Sequence, residues 1–339
     1  MPSHYSGLKF LCEQHNVKLV FREFSIVSRL IKAIFKLQFA NLAKIGTNAF
    51  FLMQLLFSRN KKVVLGIAPY DYKLLFLRLF LIGHQIYYHT SWPVWDGSHY
   101  PKKKLVNDFV LRRWRQFLCH DVRHIFAVTN ATKNGLIANY GISPKKFSVV
   151  YHSYDATIYG SGKPRKRETL RFLFIGRLVE EKGLVPLLQF FSEQSGCSLS
   201  IIGDGKLQNL VKEYTTRYDT IDYLGFLSSK QRIATYLQSA DYLLLNSKRT
   251  NTWQELFGMV IIEAMACGCI PLATDHIGPL ELIENGKNGI LVTEDDFLNT
   301  LNGLINTKPN GQMVEQAIYS AKKYTVSAIA LHWEAIFTN

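Results

Sequence analysis

The chain has 339 residues, of which 47% are hydrophobic and 19% are charged, and its formal net charge is +14. This composition excludes a disordered chain, and the length allows two domains of ordinary size, each with its own core. Residues 1–155 carry 22 Lys and Arg against 7 Asp and Glu, whereas residues 156–339 carry 18 against 19. The positive excess of the first half favours an anionic partner there, whether nucleic acid, anionic lipid or a phosphorylated substrate.

Five cysteines are scattered along the chain without a framework: Cys12, Cys119, Cys197, Cys267 and Cys269. The odd number and the absence of an export signal predict reduced thiols and a cytoplasmic protein. Cys267 and Cys269 suggest a metal at first sight, but no second Cys/His pair is placed to complete a tetrahedral site. We therefore expect no metal.

Two strongly apolar stretches lie in the basic half. In residues 24–40, Ser, Lys and Arg share one helical face and apolar side chains occupy the rest, which favours either a helix in a membrane interface or a buried domain helix. Residues 48–57 are too short to span a bilayer, and we expect no transmembrane segment. The basic stretch 102–115 predicts an exposed helix face rather than a specific lipid site. Nucleic acid is disfavoured, because the chain has no basic–aromatic RNA motif and no helix-turn-helix signature.

Short apolar runs that predict strands alternate with helical stretches. Residues 2–7 have the character of a loop after a missing strand, so that either the true start lies upstream or the sheet edge is truncated. The predicted strands are 17–21, 62–68, 85–90, 125–130 and 147–152, then 170–176, 197–203, 221–226, 241–247, 269–274 and 289–293.

Helices are expected between these strands, for example at 74–83 and 130–141, and a final helical stretch at 313–337 is interrupted near Tyr324. Residues 160–168 are rich in Gly, Pro and charge, which is typical of a linker. Apolar strands alternating with helices indicate parallel sheets covered on both faces. The sequence thus predicts two doubly wound α/β domains with a cleft between them, in which ligands bind beyond the carboxyl ends of the strands.

Three stretches of the second half place polar groups at predicted strand-to-helix turns. Arg177 and Lys182 follow a strand that ends at Gly176. The guanidinium of Arg177 offers several hydrogen-bond donors and Lys182 a flexible positive charge, a combination that suits a diphosphate. A surface ion pair is an equally good interpretation of Arg177. Gly203 and Gly205 permit a tight turn that a ligand could approach, or form an ordinary turn.

The third stretch, residues 255–271, places Glu263 inside an apolar run. A carboxylate is costly to bury without a partner. Backbone amides at 257–260 would lie at a helix N-terminus, which binds phosphate without any side chain. We expect Glu255 and Glu263 to meet sugar-ring and ribose hydroxyls. The alternative, two solvated surface glutamates, leaves the apolar neighbours of Glu263 unexplained.

Residues 87–97 of the first half contain His89 at the end of a predicted strand, followed by Trp92 and Trp95. His89 either faces the cleft or is a structural histidine. The tryptophans either form an apolar floor for an acceptor or belong to the core.

With these motifs, the chain resembles the retaining glycosyltransferases of the GT-B fold, glycosyltransferase family 4. The resemblance covers about 168–295, through FLFIGRLVEEKG, IIGDGK, YLGF and ELFGMVIIEAMACGCIPLATDHIGPLELIENGKNGILV, and extends weakly back through 126–155. The last motif reproduces the family's two glutamates separated by seven residues. Two features depart from the family pattern: only Gly7 lies near the usual glycine-rich turn of the first domain, and Gly278-Pro279 replaces a glycine pair.

The resemblance implies the GT-B fold, an α/β architecture of two Rossmann-like doubly wound domains facing across a cleft. The implied parts are an acceptor-side domain at 1–159, a linker at 160–169, a nucleotide-sugar domain at 170–320 and a helix at 321–339 that crosses back to the first domain.

The resemblance also implies roles for the motif residues. Arg177 and Lys182, after Gly176, hold the donor diphosphate, while Glu255 contacts the donor sugar and Glu263 the ribose. The remaining implied contacts are the amides of Phe257, Gly258 and Met259 at the phosphate, Gly203 and Gly205 at the nucleotide, Tyr223 and Leu224 near the base, His89 at the donor sugar or acceptor, and Gly7, Trp92 and Trp95 on the acceptor side.

The implied activity is retaining, metal-independent transfer of a sugar from a nucleotide-diphosphate donor, with no cofactor; UDP-sugars are favoured and GDP-mannose comes second. The basic first half suggests a lipid-diphosphate-linked saccharide acceptor in surface polysaccharide synthesis, such as O-antigen or lipopolysaccharide. It also suggests a peripheral position on the anionic cytoplasmic face of the inner membrane. The alternatives are a nucleotide-sugar epimerase and an inactive sugar-nucleotide- or lipid-binding module.

Overall fold

A computed structural model describes residues 2–22, 40–101, 106–160, 169–251 and 253–338. The chain forms two units, one of Met1–Val150 with Ala330–Asn339 and the other of Tyr151–Ile329. The apolar stretch predicted at 24–40 lies, apart from Ala40, outside the described residues, and so does most of the predicted linker.

The first unit is built on a four-stranded parallel sheet in the order β1-β2-β3-β4. Its strands are Lys62–Leu65 (β1), Gln85–Thr90 (β2), Val122–Ala127 (β3) and Phe147–Val149 (β4). Its main helices are Ser6–Gln14 (α1), Ala40–Leu56 (α2), Lys73–Leu81 (α3), Asp108–Gln116 (α4) and Asn130–Tyr140 (α5). Leu74, Tyr88, Trp114, Phe117 and Ile125 lie at the centre of its core.

The strand predicted at 17–21 is wrong. Helix α1 ends at Gln14, Asn16 has a positive φ of 54°, and residues 17–22 continue without regular structure. Val17 and Val20 are 47% and 39% exposed. The alternating apolar pattern there has no neighbouring strand to pair with among the described residues, and a lone strand is not stable.

The strand predicted at 125–130 begins earlier, at Val122, and ends at Ala127. The reason is local: the hydroxyl of Thr129 accepts a hydrogen bond of 3.2 Å from the N–H of Thr132 and so caps helix α5. Thr is a preferred N-cap residue, because its oxygen satisfies an amide that the helix leaves unpaired.

The second unit is built on a six-stranded parallel sheet in the order β10-β9-β8-β5-β6-β7. Its strands are Leu170–Ile175 (β5), Cys197–Ile202 (β6), Ile221–Gly225 (β7), Tyr242–Leu245 (β8), Ile270–Thr274 (β9) and Ile290–Val292 (β10). Its helices are Leu184–Ser192 (α6), Gln208–Arg217 (α7), Lys230–Ser239 (α8), Met259–Cys267 (α9), Ile277–Leu282 (α10), Phe297–Leu304 (α11), Gly311–Ala321 (α12) and Val326–Ala330 (α13). The last helix, Ala335–Thr338 (α14), belongs to the first unit.

The strand order of the second sheet reverses at β5, which pairs with β6 on one side and β8 on the other. Strands β8 and β9 are buried along their whole length, as expected for a sheet covered on both faces. Ligands of open α/β sheets bind beyond the carboxyl ends of the strands at such a reversal point. The turns after β5 and β8 are therefore the first place to look for a site.

Candidate active site

The turn after β5 carries two of the predicted phosphate-binding side chains. Arg177 is exposed and forms no ion pair within the described part of the chain, so the alternative of a surface ion pair is not seen there. The N–H of Leu178, the next residue, donates to the carbonyl of Asp204 at 2.9 Å. A Cβ at Gly205 would come within 2.8 Å of the backbone nitrogen of Leu178, which explains the glycine. The turns after β5 and β6 thus pack directly on one another.

Lys182 and Glu255 form an ion pair between the turn after β5 and the loop after β8. Their side chains are only 13% and 15% exposed. The Lys182 ammonium also lies 5.0 Å from the centre of the Trp253 ring, within the range of a cation–π contact. The Lys182 ammonium therefore contacts both a carboxylate and an aromatic ring.

Helix α9 begins immediately after this loop. Its N-cap is Gly258, with a left-handed φ of 84°, and no side chain caps the helix. Phe257 is buried, with its ring 4.8 Å from that of His152. An N-terminus that no side chain caps presents amides and a partial positive charge, which suit a phosphate.

Glu263 lies in the middle of α9 and is half-buried. Its carboxylate is hydrogen-bonded to the hydroxyl of Tyr159, a partner that the sequence analysis missed. Burial raises the pKa of Glu263 to about 7, although the hydrogen bond from Tyr159 and the charge of Lys230 lower it. Glu263 is not a solvated surface residue, and its second carboxylate oxygen can accept a further hydrogen bond.

The predicted nucleotide contacts lie at the ends of β6 and β7. Gly203 N–H donates to the carbonyl of Gly225 at 3.0 Å. The Tyr223 hydroxyl donates to the Gly203 carbonyl at 3.1 Å and accepts from the amide of Gln208 at 3.0 Å. Leu224 is half-buried beside them in the chain. Because β5, β6, β7 and β8 are parallel, the ends and following loops that carry Arg177, Lys182, Gly203, Gly205 and Glu255 lie at one edge of the sheet.

His276 is a site component that the sequence analysis overlooked. It follows β9, has no exposed side-chain surface, and accepts at Nδ1 a hydrogen bond of 3.0 Å from the N–H of Glu255. Its Nε2 lies 3.2 Å from Oε1 of Glu294. The position of His276 after a predicted strand was the one signal available in the sequence.

In the first unit, His89 lies at the end of β2 and is buried. Its Nδ1 is 3.1 Å from the Tyr5 hydroxyl, and its ring lies 5.3 Å from that of Trp333. Nε2 is buried without a hydrogen-bond partner among the described residues. Burial, with a smaller contribution from His4, lowers the pKa of His89 to about 3, so the ring is neutral.

The other predicted residues of the first unit are more enclosed. Gly7 is buried in the first turn of α1. Trp95 belongs to the core, where its ring centre lies 5.6 Å from that of Tyr70. Of the two interpretations of Trp95, the structure thus supports a core residue. Trp92 is half-buried and stacks on His99 at 5.7 Å. The roles of His89 and Trp92 stay predictions.

The described residues contain no cluster of three or more His, Cys, Asp or Glu side chains that could hold a metal. All five cysteines are free thiols. Within the same residues, no helix combines the length and apolar character needed to cross a bilayer.

Comparison with protein families decides the identity of the chain. The model for group 1 glycosyl transferases matches residues 161–324, and the model for Glycosyltransferase Family 4 matches residues 13–157. The chain belongs to the family 4, group 1 glycosyltransferases. The resemblance stated from the motifs is thereby confirmed.

Two curated relatives of this chain are themselves named as sugar transferases. The amylovoran biosynthesis glycosyltransferase AmsK of Erwinia amylovora is 31% identical over 47% of this chain and 38% of its own length. The N-acetylgalactosamine-N,N'-diacetylbacillosaminyl-diphospho-undecaprenol 4-alpha-N-acetylgalactosaminyltransferase of Campylobacter jejuni is 29% identical over 50% of this chain and 46% of its own. The matched part thus spans less than half the length of either relative.

Solved structures show the fold of this chain. Anabaena Alr3699/HepE in complex with UDP-glucose has a TM-score of 0.66 at 18% identity, over 98% of this chain and 89% of its own. The lipopolysaccharide outer core galactosyltransferase WaaB has a TM-score of 0.63 at 22% identity, over 89% of this chain and 82% of its own. The predicted GT-B fold of two parallel α/β domains is confirmed.

Proposed function

We propose that this glycosyltransferase moves a sugar, with retention and without a metal, from a nucleotide-diphosphate donor to a membrane-associated saccharide acceptor. The observation that carries the proposal is the buried Lys182–Glu255 ion pair at the carboxyl edge of the second sheet, in the loop that leads to the N-terminus of α9. A sugar diphosphate needs cations for its phosphates and acceptors for its hydroxyls, and this edge offers both.

The diphosphate is bound by Arg177, Lys182 and the first amides of α9. Arg177 is exposed and has no ion partner among the described residues, so it is available to an incoming phosphate. Guanidinium, ammonium and helix amides directed at a phosphate stabilise the charge that builds up as the nucleotide leaves. The same groups supply the electrostatics for which other enzymes use a metal ion.

The donor hydroxyls are recognised by the two glutamates. Glu255 accepts from the transferred sugar while Lys182 remains close to both the carboxylate and the phosphate. Glu263 accepts from the ribose with the oxygen that Tyr159 leaves available. The hydroxyl of the ribose and that of Tyr159 together satisfy a carboxylate that is costly to bury.

In the transfer step, the bond between the anomeric carbon and the leaving phosphate oxygen breaks, and a bond to the acceptor oxygen forms on the same face. The leaving phosphate takes the proton of the acceptor hydroxyl. No carboxylate acts as a nucleophile, and Glu255 serves only as a hydrogen-bond acceptor.

A UDP-sugar is the favoured donor, with GDP-mannose second. Support comes from the fold neighbour Alr3699/HepE, whose structures contain UDP or UDP-glucose. The favoured acceptor is a lipid-diphosphate-linked saccharide of surface polysaccharide synthesis. Support comes from the Campylobacter relative, whose name specifies a diphospho-undecaprenol acceptor.

The first unit offers a surface suited to anionic lipid, which we call the α3–α4 groove. It is lined by Leu75, Arg78, Leu79, Ile82, Phe109 and Arg113. Leu79 and Ile82 are 60% and 67% exposed, and the Arg113 guanidinium lies 5.2 Å from the centre of the Phe109 ring. Arg78 is paired with Asp121 at 2.8 Å, so Arg113 supplies the charge, and the exposed apolar side chains supply the apolar burial, that bind the interface of an anionic bilayer. This supports a peripheral position on the cytoplasmic face of the inner membrane.

The test is nucleotide release by the purified full chain from a panel of UDP- and GDP-sugars, with and without membrane lipid extract and with EDTA. We expect release from one donor, an increase with the extract, no effect of EDTA, and a product that keeps the donor's anomeric configuration. Conversion of a sugar into its epimer without nucleotide release would establish the epimerase alternative. Nucleotide binding with no turnover in any combination would indicate an inactive binding module.

A further inference from the structure

We propose that His276 is a positioning residue, which together with Glu294 holds the main chain of Glu255 where the Lys182–Glu255 pair forms. The inference rests on the proposed function, because it assigns a support to a side chain that the proposal places at the donor sugar. None of the family motifs quoted above assigns a role to His276 or Glu294.

The first support is that both main-chain groups of Glu255 are bonded to the segment formed by the N-cap and first turn of α10, directly after β9. The N–H of Glu255 donates to Nδ1 of His276 at 3.0 Å, and its carbonyl accepts from the N–H of Gly278 at 3.1 Å. A residue held at both its N–H and its carbonyl has little freedom to rotate its peptide planes. The direction of the Glu255 side chain is thereby set by a turn that lies distant in sequence.

The second support is that the orientation of the His276 ring is itself determined. Because Nδ1 accepts from Glu255, the neutral ring carries its proton on Nε2 and donates it to Oε1 of Glu294 at 3.2 Å. Oε1 also accepts from the N–H of Arg249 at 2.8 Å, and the main-chain carbonyl of Glu294 accepts from Lys248 at 2.9 Å. Glu294 is therefore anchored to the loop after β8.

These contacts connect the loops that follow three adjacent strands, β8, β9 and β10. The Arg249 guanidinium completes the connection with an ion pair of 3.0 Å to Asp275. A ring that is fully buried, with both nitrogens occupied, has no atom left for a substrate. His276 therefore acts through Glu255 and is not a catalytic residue.

Protonation of His276 would break this arrangement, since Nδ1 would then carry a hydrogen that faces the N–H of Glu255. The groups facing the ring are Arg249, which lowers its pKa, and Glu294 and Glu255, which raise it. Burial outweighs the carboxylates, and the pKa of His276 lies below its ordinary value. The neutral ring, with its acceptor towards Glu255, is the form present at neutral pH.

The test compares His276→Asn, His276→Gln and His276→Ala. The Asn oxygen can occupy the place of Nδ1 and accept from Glu255, whereas the Gln amide reaches Glu294 but leaves Glu255 without its acceptor. We expect kcat for sugar transfer to fall roughly 10- to 100-fold in the Gln and Ala variants, as for a misplaced catalytic group, and to recover largely in the Asn variant. The Kd for UDP should change less than about twofold, because Glu255 faces the sugar and not the nucleotide.

Two measurements separate a positioning role from a purely structural one. Asn288→Ala removes another buried side chain of the second unit, which holds Glu284 and Leu282, and serves as the control for lost stability. The inference is overturned if kcat falls in step with Tm across all variants, including Asn288→Ala. It is also overturned if His276→Ala keeps the wild-type kcat.

Amide hydrogen exchange of Glu255 gives a readout that needs no activity. Protection should be lost in the Ala and Gln variants and kept in the Asn variant and in Asn288→Ala, and unchanged protection in His276→Ala would contradict the inference. A wild-type chain that transfers no sugar from any donor would instead remove the proposed function. The exchange result would then decide the inference by itself.

Discussion

Lys182 and Glu255 are separated by 73 residues in the chain, yet their charged groups meet as a largely buried ion pair. Each comes from the loop after one of two adjacent strands, β5 and β8, at the point where the strand order of the sheet reverses. Removing one member of such a pair leaves the other charge desolvated and uncompensated, whereas removing both does not. The same two side chains therefore stabilise the folded chain and belong to the proposed donor site.

The coupling can be measured with Lys182→Met, Glu255→Gln and the double variant. Each single variant should lower the free energy of unfolding. We expect the two single costs to add up to more than the cost of the double variant, and the difference, the coupling energy, to be about 1–3 kcal/mol. Urea denaturation of the four proteins measures it. Additive costs would mean that the two charges do not stabilise one another.

Arg177 should contribute to binding and not to stability. It is exposed and makes no ion pair within the described residues, so Arg177→Ala should change the free energy of unfolding by less than about 0.5 kcal/mol. Its loss should weaken UDP binding roughly 10- to 100-fold, the worth of a charge-assisted hydrogen bond. Titration calorimetry provides the measurement, with Arg217→Ala, an exposed arginine on α7, as the matched control. Equal UDP affinity in the two variants would contradict the role of Arg177.

Glu263 should make the free chain less stable at high pH. Its folded pKa is raised to about 7 from 4.5, so the folded state binds the proton more tightly and loses stability as the pH rises from 4.5 to 7. The full cost, up to about 3 kcal/mol, is present above pH 7. Glu263→Gln should thus raise the Tm at pH 8 and leave it nearly unchanged at pH 4.5.

The same substitution should weaken nucleotide binding, because it removes the acceptor proposed for the ribose. Tyr159→Phe is the matched comparison, since it removes the protein partner of Glu263 and leaves the carboxylate. We expect UDP affinity to fall in Glu263→Gln by roughly tenfold or more. Wild-type UDP affinity in that variant would exclude the ribose contact.

The α3–α4 groove should control binding to lipid. Leu79→Asp combined with Ile82→Asp removes exposed apolar surface and adds negative charge, and should reduce co-sedimentation with phosphatidylglycerol-containing vesicles at least about tenfold. Leu331→Asp, at another exposed leucine of the first unit, should bind vesicles like the wild type. An equal loss in both variants would show that the groove has no special role.

Much of the fold was predictable because it depends on local patterns. Strands buried on both faces are nearly continuous apolar runs, and β8 and β9 were located for that reason. The pattern at 17–21 was misleading, since alternation alone does not supply a neighbouring strand. The end of β3 was misplaced because a cap on α5 competes with the strand for the same residues.

The sequence by itself determined which groups follow the strands: Arg177, Lys182 and Glu255 in the loops, then the start of α9, with Glu263 inside that helix. Only the tertiary structure decided what each of them meets. The carboxylate of Glu263 is hydrogen-bonded to Tyr159, and the main chain of Glu255 is held by His276. The physical reason is that a hydrogen bond requires two atoms to approach within about 3 Å, and partners from distant segments meet only when the sheet has brought their loops to one edge.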